Sequence, residues 1–144
     1  TGASSGIGLE LCRQLKARGN IIYGTCRKPN DDMQAVGMNI IEGIDVTDDN
    51  VGAALSKALE GVKIDVLVNN AGGFTTKENK ETIGIGSMSL QKLESLDLSE
   101  MRYNFEVNTL GPLKVSRALL EQVTSPGGKI AIITSLMGSI TDAS

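Results

Sequence analysis

The sequence begins with the glycine-rich stretch TGASSGIG, Thr1–Gly8, and a helical pattern follows at once. Gly2, Gly6 and Gly8 allow a tight turn and a close approach of the backbone to a ligand. Backbone N–H groups and the positive end of the helix dipole then converge on one point. The stretch predicts a phosphate-binding turn, with a plain loop-to-helix turn as the alternative. A mononucleotide P-loop is disfavoured because the Gly-Lys-Ser/Thr ending is missing.

The rest of the chain alternates short apolar runs, typical of strands, with amphipathic helical stretches. The predicted strands cover residues 20–26, 38–44, 64–70 and 129–135. Two predicted helices cover residues 6–20 and 99–123. A third lies between them, with Thr47 or Asp48 as N-cap and with Val51, Leu55 and Leu59 on one face. The order is β-α-β-β-α-β. Nearly continuous apolar strands that alternate with helices predict an α/β fold, a doubly wound Rossmann-type parallel sheet with strands buried on both faces.

Composition narrows the classes of function. The 144 residues suit one domain, and a net charge of −3 with 40% hydrophobic residues argues against nucleic-acid or membrane-surface partners. Cys12 and Cys26 are isolated, which favours reduced thiols in the cytoplasm or another reducing soluble compartment. An organelle stays open because a targeting peptide can precede Thr1. The sequence predicts no metal site, since histidine is absent, and no membrane span, since no long apolar run occurs.

A second motif, NNAG at Asn69–Gly72, ends an apolar strand where α/β sheets bind ligands. Three further stretches follow the same order as in a known family: DV at Asp45–Val46, FEVNTLGPLKVSRALL around Asn108, and IITSLMGSI around Ser135. With TGASSGIG, these motifs make the chain resemble the short-chain dehydrogenase/reductase family, and within it the branch related to the C-factor signalling proteins. The resemblance spans essentially the whole sequence.

The resemblance implies roles for individual residues. The residues implied to line the pyrophosphate and adenosine ribose are Thr1, Gly2, Ser4, Gly6, Ile7 and Gly8. Asp45 and Val46 are implied to contact the adenine. Asn69, Ala71 and Gly72 are implied to steady the sheet and to border the nicotinamide-side ribose. Asn108 would bend the long helix and hold a water of a proton relay, and Ser135 would hydrogen-bond the substrate carbonyl. For Asn69 and Asn70, satisfying backbone groups at a strand end is an alternative.

The end of the second family strand decides between the two nicotinamide cofactors. A carboxylate there binds a ribose hydroxyl, whereas a cation binds a 2′-phosphate. Here the strand leads into Arg27 and Lys28, with no acid before Asp31, so we expect NADP(H) rather than NAD(H). A solvated loop charge is the alternative for Arg27. Many NADP-preferring relatives have a basic residue at the position of Ser5, and this chain departs from that pattern.

The family's general acid and base, the tyrosine of a Y-x-x-x-K motif, has no counterpart in this sequence. Tyr23 is followed four residues on by Arg27, and Tyr103 by Val107. Counted from the serine of the fifth motif, the missing tyrosine would fall beyond Ser144.

The family strand order, 3-2-1-4-5-6-7, also requires a first strand ahead of residue 1, between the predicted strands at 20–26 and 64–70. Without it those strands would leave backbone groups unpaired, at about 1–3 kcal/mol each. We therefore expect a partial domain that lacks its first strand and everything after the fifth. It would be either part of a longer protein or completed by a strand from a neighbouring chain.

Two classes of function follow. The first is the cofactor-binding portion of an NADP(H)-dependent oxidoreductase that transfers hydride between nicotinamide and a small carbonyl or alcohol substrate. The second is a non-catalytic relative that serves as a binding or structural subunit of an assembly with partner chains. Ser99–Val123 is the candidate surface for a homo-oligomer. An insertion at about 77–89 would cover a substrate or contact a partner, or is a tolerated surface loop.

Overall fold

The computed structural model describes residues 1–73, 97–123, 127–135 and 138–139. Helices and strands alternate along the chain, as the apolar pattern predicts. In chain order they are α1 (Gly6–Ala17), β1 (Tyr23–Thr25), α2 (Asp31–Val36), β2 (Asn39–Ile41), α3 (Val51–Ala58), β3 (Val66–Asn69), α4 (Leu98–Phe105), a π-helical segment (Glu106–Leu110), α5 (Gly111–Ala118), α6 (Leu120–Val123) and β4 (Lys129–Ile132). The predicted insertion at 77–89 lies outside the described residues.

The strands form two parallel pairs. β1 pairs with β2 from Tyr23–Asn39 onward, and β3 pairs with β4 from Val66–Lys129 onward. Parallel strands need crossover connections, which helices supply in this chain. The parallel pairs and their helices confirm the predicted α/β Rossmann type of fold.

β1 and β3 do not pair with each other in the part of the chain that the structure describes, as predicted. The glycine-rich stretch lies between them instead. The nitrogen of Thr1 donates to the carbonyl of Val68 at 2.7 Å, and the N–H of Ala3 donates to the carbonyl of Thr25 at 3.0 Å. Residues 1–3 therefore connect the two strand pairs.

The apolar core has two parts. The larger lies among α3, α5 and β3 and includes Val51, Leu55 and Val115, and the smaller lies among α1, α2 and β1 and includes Leu9 and Met33. The prediction that every strand is buried on both faces is wrong for the described residues: Val66 of β3 is exposed and Val68 only partly buried, and burial is low along β4. The helices that the structure describes leave much of this pair uncovered.

The strands predicted at 20–26 and 38–44 are present as β1 and β2, but their direct succession is wrong because the short helix α2 separates them. Asn30 caps α2 by accepting a hydrogen bond from the N–H of Met33 at 3.1 Å. Gly37 ends it in the left-handed conformation, with φ of 68°. Both are ordinary helix boundary signals, but six residues are too few to show a helical apolar period.

The expected N-cap of α3 is also wrong. The helix begins at Val51, after Asn50 rather than after Thr47 or Asp48. Thr47 is instead held in a turn, because its N–H and hydroxyl both donate to Asp45 Oδ1. The carboxylate of Asp48 accepts the N–H of Asn50 at 2.8 Å. These side chains satisfy loop groups rather than the first turn of the helix.

The predicted helix at 99–123 is present but interrupted by the π-helical segment. On α4 the large apolar side chains Leu98, Met101 and Phe105 are exposed at 63%, 50% and 56%. The homo-oligomer surface expected at Ser99–Val123 stays a prediction.

Both cysteines are free thiols. Burial raises the pKa of the Cys26 thiol, and the carboxylate of Glu42 raises it further. Burial likewise raises the pKa of Cys12. Both sulfurs therefore stay protonated at neutral pH.

Candidate functional site

The glycine-rich stretch forms a turn that ends at the start of α1. Gly2 and Gly6 have left-handed φ angles of 66° and 55°, and the helix begins at Gly6. Gly6 and Ile7 are exposed. The first turn of α1 contains no acidic residue, so no carboxylate there opposes an anion at the positive end of the helix.

Thr1 fastens this turn to the loop after β3. Its hydroxyl oxygen accepts the N–H of Asn70 at 3.1 Å and the N–H of Ala71 at 3.0 Å. In return the side-chain amide of Asn70 donates to the carbonyls of Thr1 and Gly2, at 3.0 and 3.2 Å. Four hydrogen bonds thus join the first and second sequence motifs directly.

The close contact between the glycine turn and the NNAG loop requires glycine at two positions. A Cβ at Gly2 would lie 2.9 Å from the Cα of Ala71. A Cβ at Gly8 would overlap the carbonyl oxygen of Gly2 and the amide nitrogen of Asn70. Side chains at either position would therefore push α1 and the turn away from the loop.

Asn69 points away from this contact, into the protein. Its side chain is 2% exposed, and its Nδ2 donates to Ser116 Oγ on α5 at 3.0 Å. Its Oδ1 is buried and has no hydrogen-bond partner among the described residues. Asn69 thus ties the end of β3 to the long helix.

Asn108 lies in the π-helical segment, where the bend of the long helix is expected. Its side chain makes a pair of hydrogen bonds with the backbone of Gly73, to the N–H at 2.8 Å and to the carbonyl at 3.0 Å. Its Nδ2 also donates to the carbonyl of Asn104 at 2.9 Å. A Cβ at Gly72 would lie 2.7 Å from Asn108 Oδ1, so a side chain there would displace the Asn108 amide from Gly73. The NNAG loop is therefore held on one side by Thr1 and on the other by Asn108.

Asp45 and Val46 lie in the loop that follows β2. Val46 is buried in the larger core and packs against α5, where a Cβ at Gly111 would lie 3.0 Å from Val46 Cγ2. Asp45 is partly exposed and holds the turn at Thr47. Only part of this pair is therefore available to a ligand.

Arg27 is exposed at the end of β1. Three residues later Asn30 donates from its Nδ2 to the carbonyl of Ser4 at 2.8 Å. This bond ties the Arg27–Asn30 segment to the glycine turn.

Ser135 follows β4 and is exposed. Because β3 and β4 are parallel, Ser135 comes after the same edge of the sheet as Asn69. The structure thus joins the turn, the NNAG loop and Asn108 by direct hydrogen bonds. The parallel strands bring Asp45, Arg27 and Ser135 to the carboxyl ends of their pairs.

Sequence reasoning assigned no site role to three residues in these contacts: Asn30, Asn70 and Ser116. Asn70 is the second residue of NNAG, so the motif itself contained the signal. The local sequence indicates that Asn30 can cap a helix, but it does not indicate the contact with Ser4. Ser116 has no signal in the sequence, since its contact depends on how α5 packs on β3.

In the described parts of the chain, no group of three or more histidine, cysteine, aspartate or glutamate side chains is placed to hold a metal ion. The helices there are also too short or too polar to cross a membrane.

The parallel pairs, the glycine turn at the start of α1 and the NNAG loop define a chain of the Rossmann class. The sequence profile described as short chain dehydrogenase matches residues 1–143. The chain therefore belongs to the short-chain dehydrogenase/reductase family.

Curated relatives agree with this assignment. A 1-hydroxy-2-glutathionyl-2-methyl-3-butene dehydrogenase from Rhodococcus sp. is 34% identical over 143 residues, covering 98% of this chain and 57% of the relative. A 3-ketodihydrosphingosine reductase from Bacteroides thetaiotaomicron is 33% identical over 141 residues, covering 96% of this chain and 46% of the relative. The chain thus spans about half the length of these relatives.

Solved structures show the same fold. A carbonyl reductase from Pseudomonas aeruginosa in complex with NADP superposes with a TM-score of 0.81 at 27% identity, covering 98% of this chain and 59% of that one. An alcohol dehydrogenase from the archaeon Thermococcus sibiricus, complexed with 5-hydroxy-NADP, gives a TM-score of 0.73 at 28% identity, covering 96% of this chain and 57% of that one.

Replacing Thr1 by valine tests the contact between the turn and the loop. The substitution keeps the shape of the side chain but leaves the N–H groups of Asn70 and Ala71 without their acceptor. We expect a loss of about 1–3 kcal/mol in the free energy of unfolding, measured with urea on the full-length protein. Thr1→Ser keeps the oxygen and is the matched control. Equal stability of the valine and serine variants would contradict the proposed importance of the hydroxyl.

Replacing Gly72 by alanine tests the contact with Asn108 in a double-mutant cycle. Gly72 is outside the left-handed region, so the cost of alanine arises from the clash with Asn108 Oδ1. We expect Gly72→Ala to cost about 1–3 kcal/mol of unfolding free energy in the natural background. In the Asn108→Ala background it should cost less than about 0.5 kcal/mol. The same cost in both backgrounds would show that the clash is elsewhere.

Proposed function

We propose that this chain is the cofactor-binding portion of an NADP(H)-dependent oxidoreductase. The observation that carries the proposal is the set of hydrogen bonds between Thr1 and the loop at Asn70–Ala71. These bonds hold the start of α1 at the carboxyl ends of two parallel strand pairs, which is where α/β proteins bind dinucleotides.

The residues of the turn fit a pyrophosphate. Gly2 and Gly8 leave no room for side chains on the packed side, and the first turn of α1, exposed at Gly6 and Ile7, contains no acidic residue and offers backbone N–H groups. Thr1, Ser4, Gly6 and Ile7 complete the binding surface in this proposal. Asp45 and Val46 would contact the adenine, with Val46 already fixed by the core.

On the nicotinamide side we assign Asn69, Ala71 and Gly72 to the border of the ribose. Asn108 would hold a water of a proton relay from its place in the π-helical segment, and Ser135 would donate to the substrate carbonyl. The nicotinamide, when bound, supplies or accepts the hydride. The chain's own residues position and hydrogen-bond the reacting groups.

The preference for NADP(H) over NAD(H) is supported by the charge at the end of β1. The guanidinium of Arg27 can donate charge-assisted hydrogen bonds to a 2′-phosphate but cannot accept a hydrogen bond from a ribose hydroxyl. The bond from Asn30 to the carbonyl of Ser4 keeps this segment next to the turn. Solved relatives with bound NADP also support the preference.

Catalysis is tested on the full-length protein by following NADPH oxidation with small carbonyl substrates. We expect turnover, and we expect Ser135→Ala to lower kcat on the order of 100-fold with an unchanged Kd for NADPH. Ser139→Ala, at a nearby serine, is the control and should leave kcat unaltered. NADPH binding without any turnover would favour the alternative, a non-catalytic subunit that keeps the dinucleotide scaffold.

Cofactor choice is tested by titrating the protein with NADPH and with NADH and following the fluorescence of the reduced nicotinamide. We expect NADPH to bind about tenfold more tightly or better, the value of one charge-assisted hydrogen bond. Arg27→Gln should remove this difference by lowering the affinity for NADPH alone. Arg117→Gln on α5 should leave the difference unchanged. Tighter binding of NADH by the natural protein would refute the assignment of Arg27.

A further inference from the structure

Lys114 lies on α5 and contacts the loop before α3 and the π-helical segment. Its ammonium nitrogen contacts the carbonyl of Thr47 at 3.1 Å, Asp49 Oδ1 at 2.9 Å and Glu106 Oε1 at 2.5 Å. An ammonium group has three N–H donors, and each of these oxygens can take one. The side chain is 24% exposed, so it reaches these partners from a largely covered position.

The three contacts differ in strength. Asp49 is 95% exposed, so its ion pair with Lys114 is weakened by water. Glu106 is 31% exposed and shares the covered position, and its hydrogen bond is the main cause of the raised pKa of Lys114, followed by that of Asp49. Lys114 therefore stays charged at neutral pH, paired with two carboxylates.

The hydrogen bond to the carbonyl of Thr47 links Lys114 to the loop at residues 45–47. Asp45 Oδ1 already accepts the N–H and hydroxyl of Thr47, at 3.0 and 2.7 Å, so the carboxylate fixes one side of the residue. Lys114 fixes the other side through the carbonyl. Gly111, one turn earlier on the same helix, receives the side chain of Val46. The face of α5 that carries Gly111 and Lys114 thus determines the shape of the loop at residues 45–47.

We propose that Lys114 is a positioning residue for the adenosine end of the dinucleotide, holding the Asp45–Thr47 loop in the shape that contacts adenine. The inference rests on the proposed function, since that function assigns Asp45 and Val46 to the adenine. Lys114 touches no part of the cofactor in this proposal and acts only through the loop.

The test compares two ligands in the full-length protein, NADPH and adenosine 2′,5′-bisphosphate, which lacks the nicotinamide half. Lys114→Met keeps an unbranched apolar side chain, one atom shorter, and removes the charge and the donors. We expect the affinities for both ligands to fall by the same factor, about tenfold, because the lost contact acts on the adenosine end. Lys57→Met, at an exposed lysine of α3, is the matched control and should change neither affinity.

Glu106→Gln separates the proposal from a general effect of leaving a carboxylate unpaired. If Lys114 acts through the loop, Lys114→Met lowers the affinity for the bisphosphate by the same factor in the Glu106→Gln background as in the natural background. If Lys114→Met causes no loss of bisphosphate affinity in that background, the proposal is overturned. It is also overturned if Lys114→Met and the control Lys57→Met bind the bisphosphate equally well. If Lys114→Met does not fold by circular dichroism, Lys114→Gln replaces it with the same expected direction. Failure of the unaltered protein to bind either ligand would instead refute the proposed function, and this inference with it.

Discussion

The arrangement of this chain depends on one hydroxyl oxygen. Thr1 Oγ1 accepts two successive N–H groups of the loop after β3, and the backbone next to it bonds to both strand pairs. The start of α1, the NNAG loop and the ends of β1 and β3 all meet at this point. Asn108 continues the same construction by fixing Gly73 from the other side of the loop. The turn, the loop and the long helix are thus held together by hydrogen bonds between short side chains and the backbone.

Most of these contacts are made by neutral groups. A threonine hydroxyl and the amides of Asn30, Asn70 and Asn108 organise the turn, the loop and the bend of the helix. Neutral hydrogen bonds order the backbone without placing a competing negative charge beside the helix N-terminus. The charged side chain proposed to meet the cofactor is Arg27, which is exposed at the end of β1. The charged Lys114 instead shares the positioning role through the carbonyl of Thr47.

The sequence predicts the features that depend on local pattern. The glycine turn, α1 and the parallel strand pairs follow from glycine spacing and apolar periodicity, which need only neighbouring residues. The helix α2 is missed because six residues show no period, although Asn30 and Gly37 mark its ends. The contacts of Asn30 with Ser4 and of Lys114 with Thr47 span 26 and 67 residues. Such contacts depend on packing between elements, and no single stretch contains the information.

The π-helical segment at Glu106–Leu110 also sets the phase of the long helix. Each residue turns an α-helix by about 100°, and a π-helical turn takes up one residue more than an α-helical turn. The exposed apolar side chains of α4 and the buried face of α5 therefore have a relative rotation fixed by residue count rather than residue type. An evolving sequence can change many side chains in this helix, but losing one residue would turn Gly111 and Lys114 away from the loop they hold.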